Sequence, residues 1–157
     1  MQGFTLVELV LVIVLLAILA IAFGPRFFEI DVFRARGFYD EAISALRYAQ
    51  KTAIAQRRAI YVNLATTTVS ICYTSSLTCA SANDQVPGPY GEKPYTVSAG
   101  TGGLSPVTTL FFDALGRPYN VADTVPNSTF TTRLTLTLTG GGDTRTITVE
   151  QETGYVR

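Results

Sequence analysis

The stretch from Phe4 to Phe23 is twenty consecutive residues, all apolar except Thr5 and Glu8. At about 1.5 Å of rise per residue, such a helix spans roughly 30 Å, the thickness of a bilayer's hydrocarbon core. An ionised carboxylate at mid-membrane costs about 2.5–3.5 kcal/mol on insertion scales, and less near an end. A chain keeps such a group when something pairs with it. Glu8 thus constrains the chain twice. Its helix belongs in lipid or against other apolar helices, and its charge calls for a cation at the same depth.

The sequence suggests that cation. A cut between Gly3 and Phe4 would leave a new α-amino group one helical turn from Glu8. The macrodipole of the helix also favours an acid near its N-terminus. Between neighbouring helices, Glu8 of one chain could meet the amine of the next and set the register of an assembly. Two plainer readings stay open. Leu19-Ala20-Ile21-Ala22 ends in a pattern suited to a secretory signal peptide cut after Ala22. Against it, the first residues carry no Lys or Arg, the apolar run is long, and an acid interrupts it. A single-pass anchor is the other. Arg26, Arg34 and Arg36 follow the run, opposite to the positive-inside tendency for either membrane reading.

Gly3-Phe4-Thr5-Leu6-Val7-Glu8, followed by Leu9 through Ala20, resembles the N-terminal signature of type IV pilins and type II secretion pseudopilins. The resemblance implies a leader of residues 1–3 removed at Gly3 and Phe4 by prepilin peptidase. It implies methylation of the Phe4 amine, assembly charge pairing by Glu8, and a helix-kinking role for Pro25. Residues 4–25 would be the transmembrane and assembly helix, and 26–157 a periplasmic globular domain. Met1-Gln2 departs from the family, whose leaders usually carry basic residues.

One soluble domain is what the rest allows. Beyond Phe23 there are 134 residues (157 less 23), enough for one sizeable core. Formal net charge is zero, which gives no bulk attraction to nucleic acid. There is no His, so the commonest general base and metal ligand are missing. Cys72 and Cys79 are the two cysteines. In an exported domain they read as a disulfide. Two Cys without His are half a zinc site, and a catalytic Cys would lack its imidazole.

Phe38, Ala42, Ala45, Leu46, Ala49 and Ala53 recur at helical spacing, so an amphipathic helix is expected from about Val32 to Gln56. Ile60–Leu64, Thr68–Tyr73, Thr109–Phe112, Arg133–Thr139 and Thr146–Glu150 read as strands. Thr74–Gly103 reads mainly as loop, with one short strand near Tyr95–Ser98. Asp113–Pro118 reads as a turn and Gly140–Asp143 as a hairpin loop. Glu152-Thr153-Gly154 turns the chain into Tyr155-Val156-Arg157. The fold class is α+β: a long N-terminal helix, half transmembrane and half amphipathic, packed on antiparallel strands.

Three later segments, Tyr39–Lys51, Phe112–Pro118 and Glu152–Arg157, resemble the GspH/FimT group of minor pseudopilins. Within it the likeness runs to the MshC-type minor pilins of the mannose-sensitive haemagglutinin (MSHA) pilus. This implies a non-enzymatic subunit at or near the tip of a filament, first held in the bacterial inner membrane. Its partners would be other pilin or pseudopilin subunits and the peptidase. No catalytic, cofactor or metal residues are expected, since no phosphate loop, nucleophile elbow or zinc-protease motif is present. A DNA-uptake subunit is an alternative, with Arg47, Lys51, Arg57, Arg58 and Arg157 as candidate contacts. The neutral charge disfavours it, and a solvated helix face accounts better for Arg47 and Lys51. A subunit of a type II secretion pseudopilus is the third reading.

Overall fold

The computed structural model describes residues 5–23, 26–76, 78–100 and 102–157. Among these residues two helices come first, α1 (Leu6–Phe23) and α2 (Arg26–Gln56). The strands β1 (Ile60–Leu64), β2 (Thr68–Cys72), β3 (Tyr95–Ser98), β4 (Gly103–Ser105), β5 (Thr108–Phe112), β6 (Pro118–Asn120), β7 (Leu134–Gly140) and β8 (Asp143–Val149) follow. They pair antiparallel in two sheets, ordered β3-β2-β1-β5-β6 and β4-β7-β8. This is an α+β, pilin-like fold, with the long helix packed on the sheets.

The stripe of α2 is buried as its spacing demands: Phe38, Ala42, Ala45, Leu46, Ala49 and Ala53 are all nearly inaccessible, and Ala35 extends it upstream. Most of these are alanine, so the helix backbone can approach the strands closely. Across from it lie Ile60, Val62, Leu64, Val69, Ile71, Leu110 and Phe112 of the larger sheet, and Leu136, Leu138, Ile147 and Val149 of the smaller. Each large side chain buried there contributes about 1.5–3 kcal/mol. The far face of the larger sheet carries an aromatic ladder. Tyr61 and Phe111 lie 5.1 Å apart, and Phe111 stacks on Tyr119 at 5.1 Å. Beside it, buried Asn63 accepts from Thr109 Oγ1 (3.0 Å) and donates to the Ser76 carbonyl (2.9 Å). That pins the loop closed by the Cys72–Cys79 disulfide against the sheet.

Several boundaries differ from expectation. Helix α2 begins at Arg26 rather than near Val32. The apolar stripe marks where packing starts, and nothing between Arg26 and Asp31 breaks a helix earlier. The expected turn Asp113–Pro118 closes at Arg117, and Pro118 opens β6 instead. Proline is tolerated there because β6 is an edge strand. Gly103, read as the end of a loop, opens β4. Strand β2 stops at Cys72 rather than Tyr73. The hairpin loop Gly140–Asp143 shortens to a two-residue turn, because Gly140 and Asp143 pair as strand residues. Gly141 (φ 61°) and Gly142 (φ 80°) both take the left-handed region, as the tightest hairpin turns require. A Cβ on Gly141 would come within 2.6 Å of the Val32 backbone, so this tip sits on the second turn of α2.

Candidate functional site

Helix α1 is apolar on every side, and the whole run from Leu6 to Leu19 is exposed, with Leu6 at 78% and Ile18 at 60%. An amphipathic surface helix would show one polar face; a helix greasy all round needs lipid or other helices around it. Among the described residues no helix is long and apolar enough to cross a membrane. As described, α1 is 18 residues, about 27 Å at 1.5 Å per residue, against a core of about 30 Å. The run expected to span begins at Phe4, outside the described residues, as do Gly3 and Pro25.

The start of α1 explains how Glu8 is held. Thr5 caps the helix: its Oγ1 accepts from the Glu8 N–H at 3.3 Å, and its carbonyl accepts from Glu8 (3.1 Å) and Leu9 (3.2 Å). Thr5-Leu6-Val7-Glu8 has the spacing of a capping box. Glu8 therefore lies in the first turn, where the macrodipole favours a carboxylate. This places it at the end of α1 nearest Phe4, as pairing with a Phe4 amine would need.

Toward its own C-terminal end, α2 clamps the C-terminus of the chain. Gln50 Nε2 donates to the carbonyls of Gly116 (3.0 Å) and Thr153 (2.7 Å). Arg47 donates through Nε (3.1 Å) and Nη2 (3.0 Å) to the Val156 carbonyl. Gly154 (φ 66°) lies so close to the Gly116 carbonyl and the Phe112 ring that a Cβ would collide with them. Buried Asp113 shapes the facing turn. Its Oδ1 accepts from Leu115 (2.8 Å) and Arg117 (2.9 Å) backbone N–H groups, and its Oδ2 pairs with the Arg117 guanidinium at 3.0 Å. That pairing holds the guanidinium pKa above its ordinary value. Asp113 is a turn organiser with its oxygens engaged.

The five candidate basic contacts do not form one free strip. Arg47 is exposed but tied to Val156, which corrects its reading as a merely solvated residue. Arg58 lies over the Tyr73 ring at 3.9 Å. Arg157 bonds to Thr148 Oγ1 (3.2 Å) and pairs with Glu150 (3.1 Å). Arg57 ends α2 in a left-handed conformation (φ 51°). Lys51 is exposed and beside Arg47 in a hollow floored by Tyr48 and Tyr95. Among the described residues no group of His, Cys, Asp and Glu could hold a metal ion.

Residues 40–153 match the family described as type II transport protein GspH. The chain belongs to this family. Residues 1–24 match the prokaryotic N-terminal methylation motif. Two crystal forms of the type IV minor pilin FimU of Pseudomonas aeruginosa (strain PAO1) are similar in structure, each at 20% identity and a TM-score of 0.51 over 78% of this chain. They are covered to 90% and 85% of their own length; at that identity the likeness shows the fold alone. No curated protein sequence matches. GspH-type chains are structural pilin or pseudopilin subunits of type IV pili or type II secretion, assembled with other such subunits after processing at the methylation motif. The GspH match ends at Thr153, beside the C-terminal clamp. Gln50 and Gly154 were missed as clamp residues in the sequence, although the flanking Phe112–Pro118 and Glu152–Arg157 segments carried the resemblance.

Proposed function

We propose that this chain is a minor subunit of a type IV pilus of the MSHA kind, incorporated at or near the filament tip and supporting its assembly. The segment 4–25, which contains α1, would hold it in the inner membrane with residues 26–157 in the periplasm. Prepilin peptidase would cut between Gly3 and Phe4, and the new Phe4 amine would be methylated. The observation that carries the reading is a helix whose apolar surface is interrupted by a single carboxylate, that of Glu8, in its first turn. As a mere anchor such a helix would be better without Glu8. As a docking element it needs Glu8, because apolar packing alone is matched by lipid.

The test is Glu8→Leu. The variant should still insert and be cut after Gly3, and then be missing from sheared filaments while accumulating in the membrane fraction. Equal incorporation of variant and wild type would refute a docking role. A mature N-terminus at Phe23 by mass spectrometry would restore the signal peptide and end the pilin reading.

A pseudopilus of type II secretion is the second reading, favoured by the family description itself. The DNA-uptake reading draws little support: Arg47, Arg58 and Arg157 are engaged within the chain. Of the five candidate contacts that leaves Lys51 and Arg57, on a chain whose formal net charge is zero.

A further inference from the structure

A sheet edge exposes unpaired N–H and C=O groups, and a folded chain normally blunts it. Among the described residues, three of the four sheet edges are closed by the chain itself. On β8, the N–H and carbonyl of Thr148 bond to Arg157 (2.7 and 3.0 Å), the Glu150 N–H bonds to Tyr155 (2.9 Å), and the Thr146 carbonyl accepts from Tyr39 Oη (3.2 Å). On β6, Pro118 has no N–H and its carbonyl accepts from Ser128 Oγ (3.4 Å), while the Asn120 N–H donates to Asp123 (2.9 Å). On β4, the Leu104 N–H donates to Thr66 (2.6 Å).

The fourth edge is β3. The Tyr95 and Ala99 N–H groups point inward, to the carbonyls of Val86 (2.9 Å) and Thr67 (2.8 Å). Backbone groups alternate along a strand, so those of Thr96 and Ser98 point outward. Among the described residues they meet no partner. Both side chains are exposed, and neither residue is proline or a charged gatekeeper.

Beside this edge runs a hollow of about 500 Å³ between α2 and the loop before β3, lined by Asp40, Glu41, Ser44, Tyr90, Tyr95 and Val97, among others. Tyr90 stands at its rim, 96% exposed. Asp40 and Glu41 are exposed on the α2 side. A strand added to β3 would send alternate side chains toward those carboxylates. Exposed aromatics and an open edge are the usual ingredients of strand addition.

We propose that the outer edge of β3 is a docking strand for an extended, basic segment of a neighbouring subunit. The backbone of Thr96 and Ser98 supplies the hydrogen bonds, and Asp40 and Glu41 select Lys or Arg on the incoming strand. The choice of a neighbouring subunit as occupant rests on the filament reading; the edge and its charge do not.

The probe is a capped Lys-Val-Lys-Val-Lys-Val peptide added to the full-length protein in detergent. Hydrogen exchange is read residue by residue by NMR. The Thr96 and Ser98 amides should exchange freely alone and slow at least about tenfold with peptide. Val97, already paired to β2, should not change. Asp40→Lys with Glu41→Lys should abolish this protection, and a Glu-Val repeat should then replace the Lys-Val one. Thr96→Pro should abolish binding of both. Thr96 and Ser98 already protected in the free protein would overturn the proposal, as would concentration-dependent self-protection, which would assign the edge to a second copy. Sheared filaments separate the two readings. Wild type absent from filaments sinks the subunit reading, with peptide protection still deciding the edge. Wild type and the charge-reversed variant incorporated equally sinks the docking strand alone.

Discussion

The stalk helix α1 and the strand-bearing head solve opposite problems. Helix α1 has no polar face, and its apolar side chains stay exposed in the isolated chain. The head turns the stripe of α2 onto its own sheets and closes most of its edges with its own residues. The head completes itself, whereas α1 is completed by other molecules. A polar group means something different in each. Asp113 in the head is buried with its oxygens satisfied, while the carboxylate of Glu8 in α1 meets no partner among the described residues.

The sharpest way to break this contrast is to put one charge in each region. Leu46 is fully buried in the α2 stripe. Leu46→Asp should cost at least about 4 kcal/mol, because an unpaired carboxylate has no partner there. A fragment of residues 29–157 carrying it should fail to give a cooperative melt. Leu16→Asp in the full chain should leave the head's melting unchanged and lower membrane insertion instead, by about 3 kcal/mol on the insertion scale. A Leu46→Asp fragment that melts like its parent would mean that α2 faces the other way.

Next in size is the C-terminal clamp. Gly154→Ala must hold a left-handed conformation and push a methyl into the Gly116 carbonyl. The expected loss is about 3 kcal/mol, combining the left-handed penalty with overpacking. Chemical denaturation of the head reads it directly. A loss below about 1 kcal/mol, the size of an ordinary glycine replacement, would show that the turn relaxes and that the head is less self-determined than the contacts suggest. Reduction of Cys72–Cys79 should follow at about 2.5 kcal/mol from loop closure, with the loop around Ser76 released from Asn63.

How much of this was legible follows the same division. The N-terminal run and Glu8 were readable because they break composition rules by themselves. The α2 stripe and strand β7 were readable because each carries its own periodicity, and β1, β2, β3, β5 and β8 because they are short apolar, β-branched or aromatic runs between turn signals. Strands β4 and β6 were not: three residues containing Gly103 or Pro118 have no alternation, and long-range pairing makes them strands. The early start of α2 was hidden because the stripe reports packing and not helical backbone. The partners of Arg47 and Gln50 were hidden for a further reason. Their bonds link residues distant in sequence, and a cation on a helix gives no local hint that it will serve a remote carbonyl.

The smallest expected effect tests whether the edge closures of the head are as firm as its core. Asp123 accepts from the Thr129 hydroxyl (2.6 Å) and from the Thr129 and Asn120 N–H groups, both at 2.9 Å. The Thr129 hydroxyl first, then these backbone groups, hold its pKa below the ordinary value, against some desolvation. A depressed carboxylate contributes stability that is fully present above its unfolded pKa of about 4. That contribution is lost as pH falls through the lower, folded value. The loop over the outer edge of β6 should therefore loosen in acid before the core does. Amide exchange at Asn120 and Thr129 should quicken below about pH 4 while exchange at Val62 and Leu136 stays slow. Asp123→Asn should remove this pH dependence and leave the core protected. If Asn120 and Val62 instead opened together, the edge cover would belong to the same cooperative unit as the core. The contrast between self-completed interior and borrowed cover would then begin only at α1 and the open edge of β3.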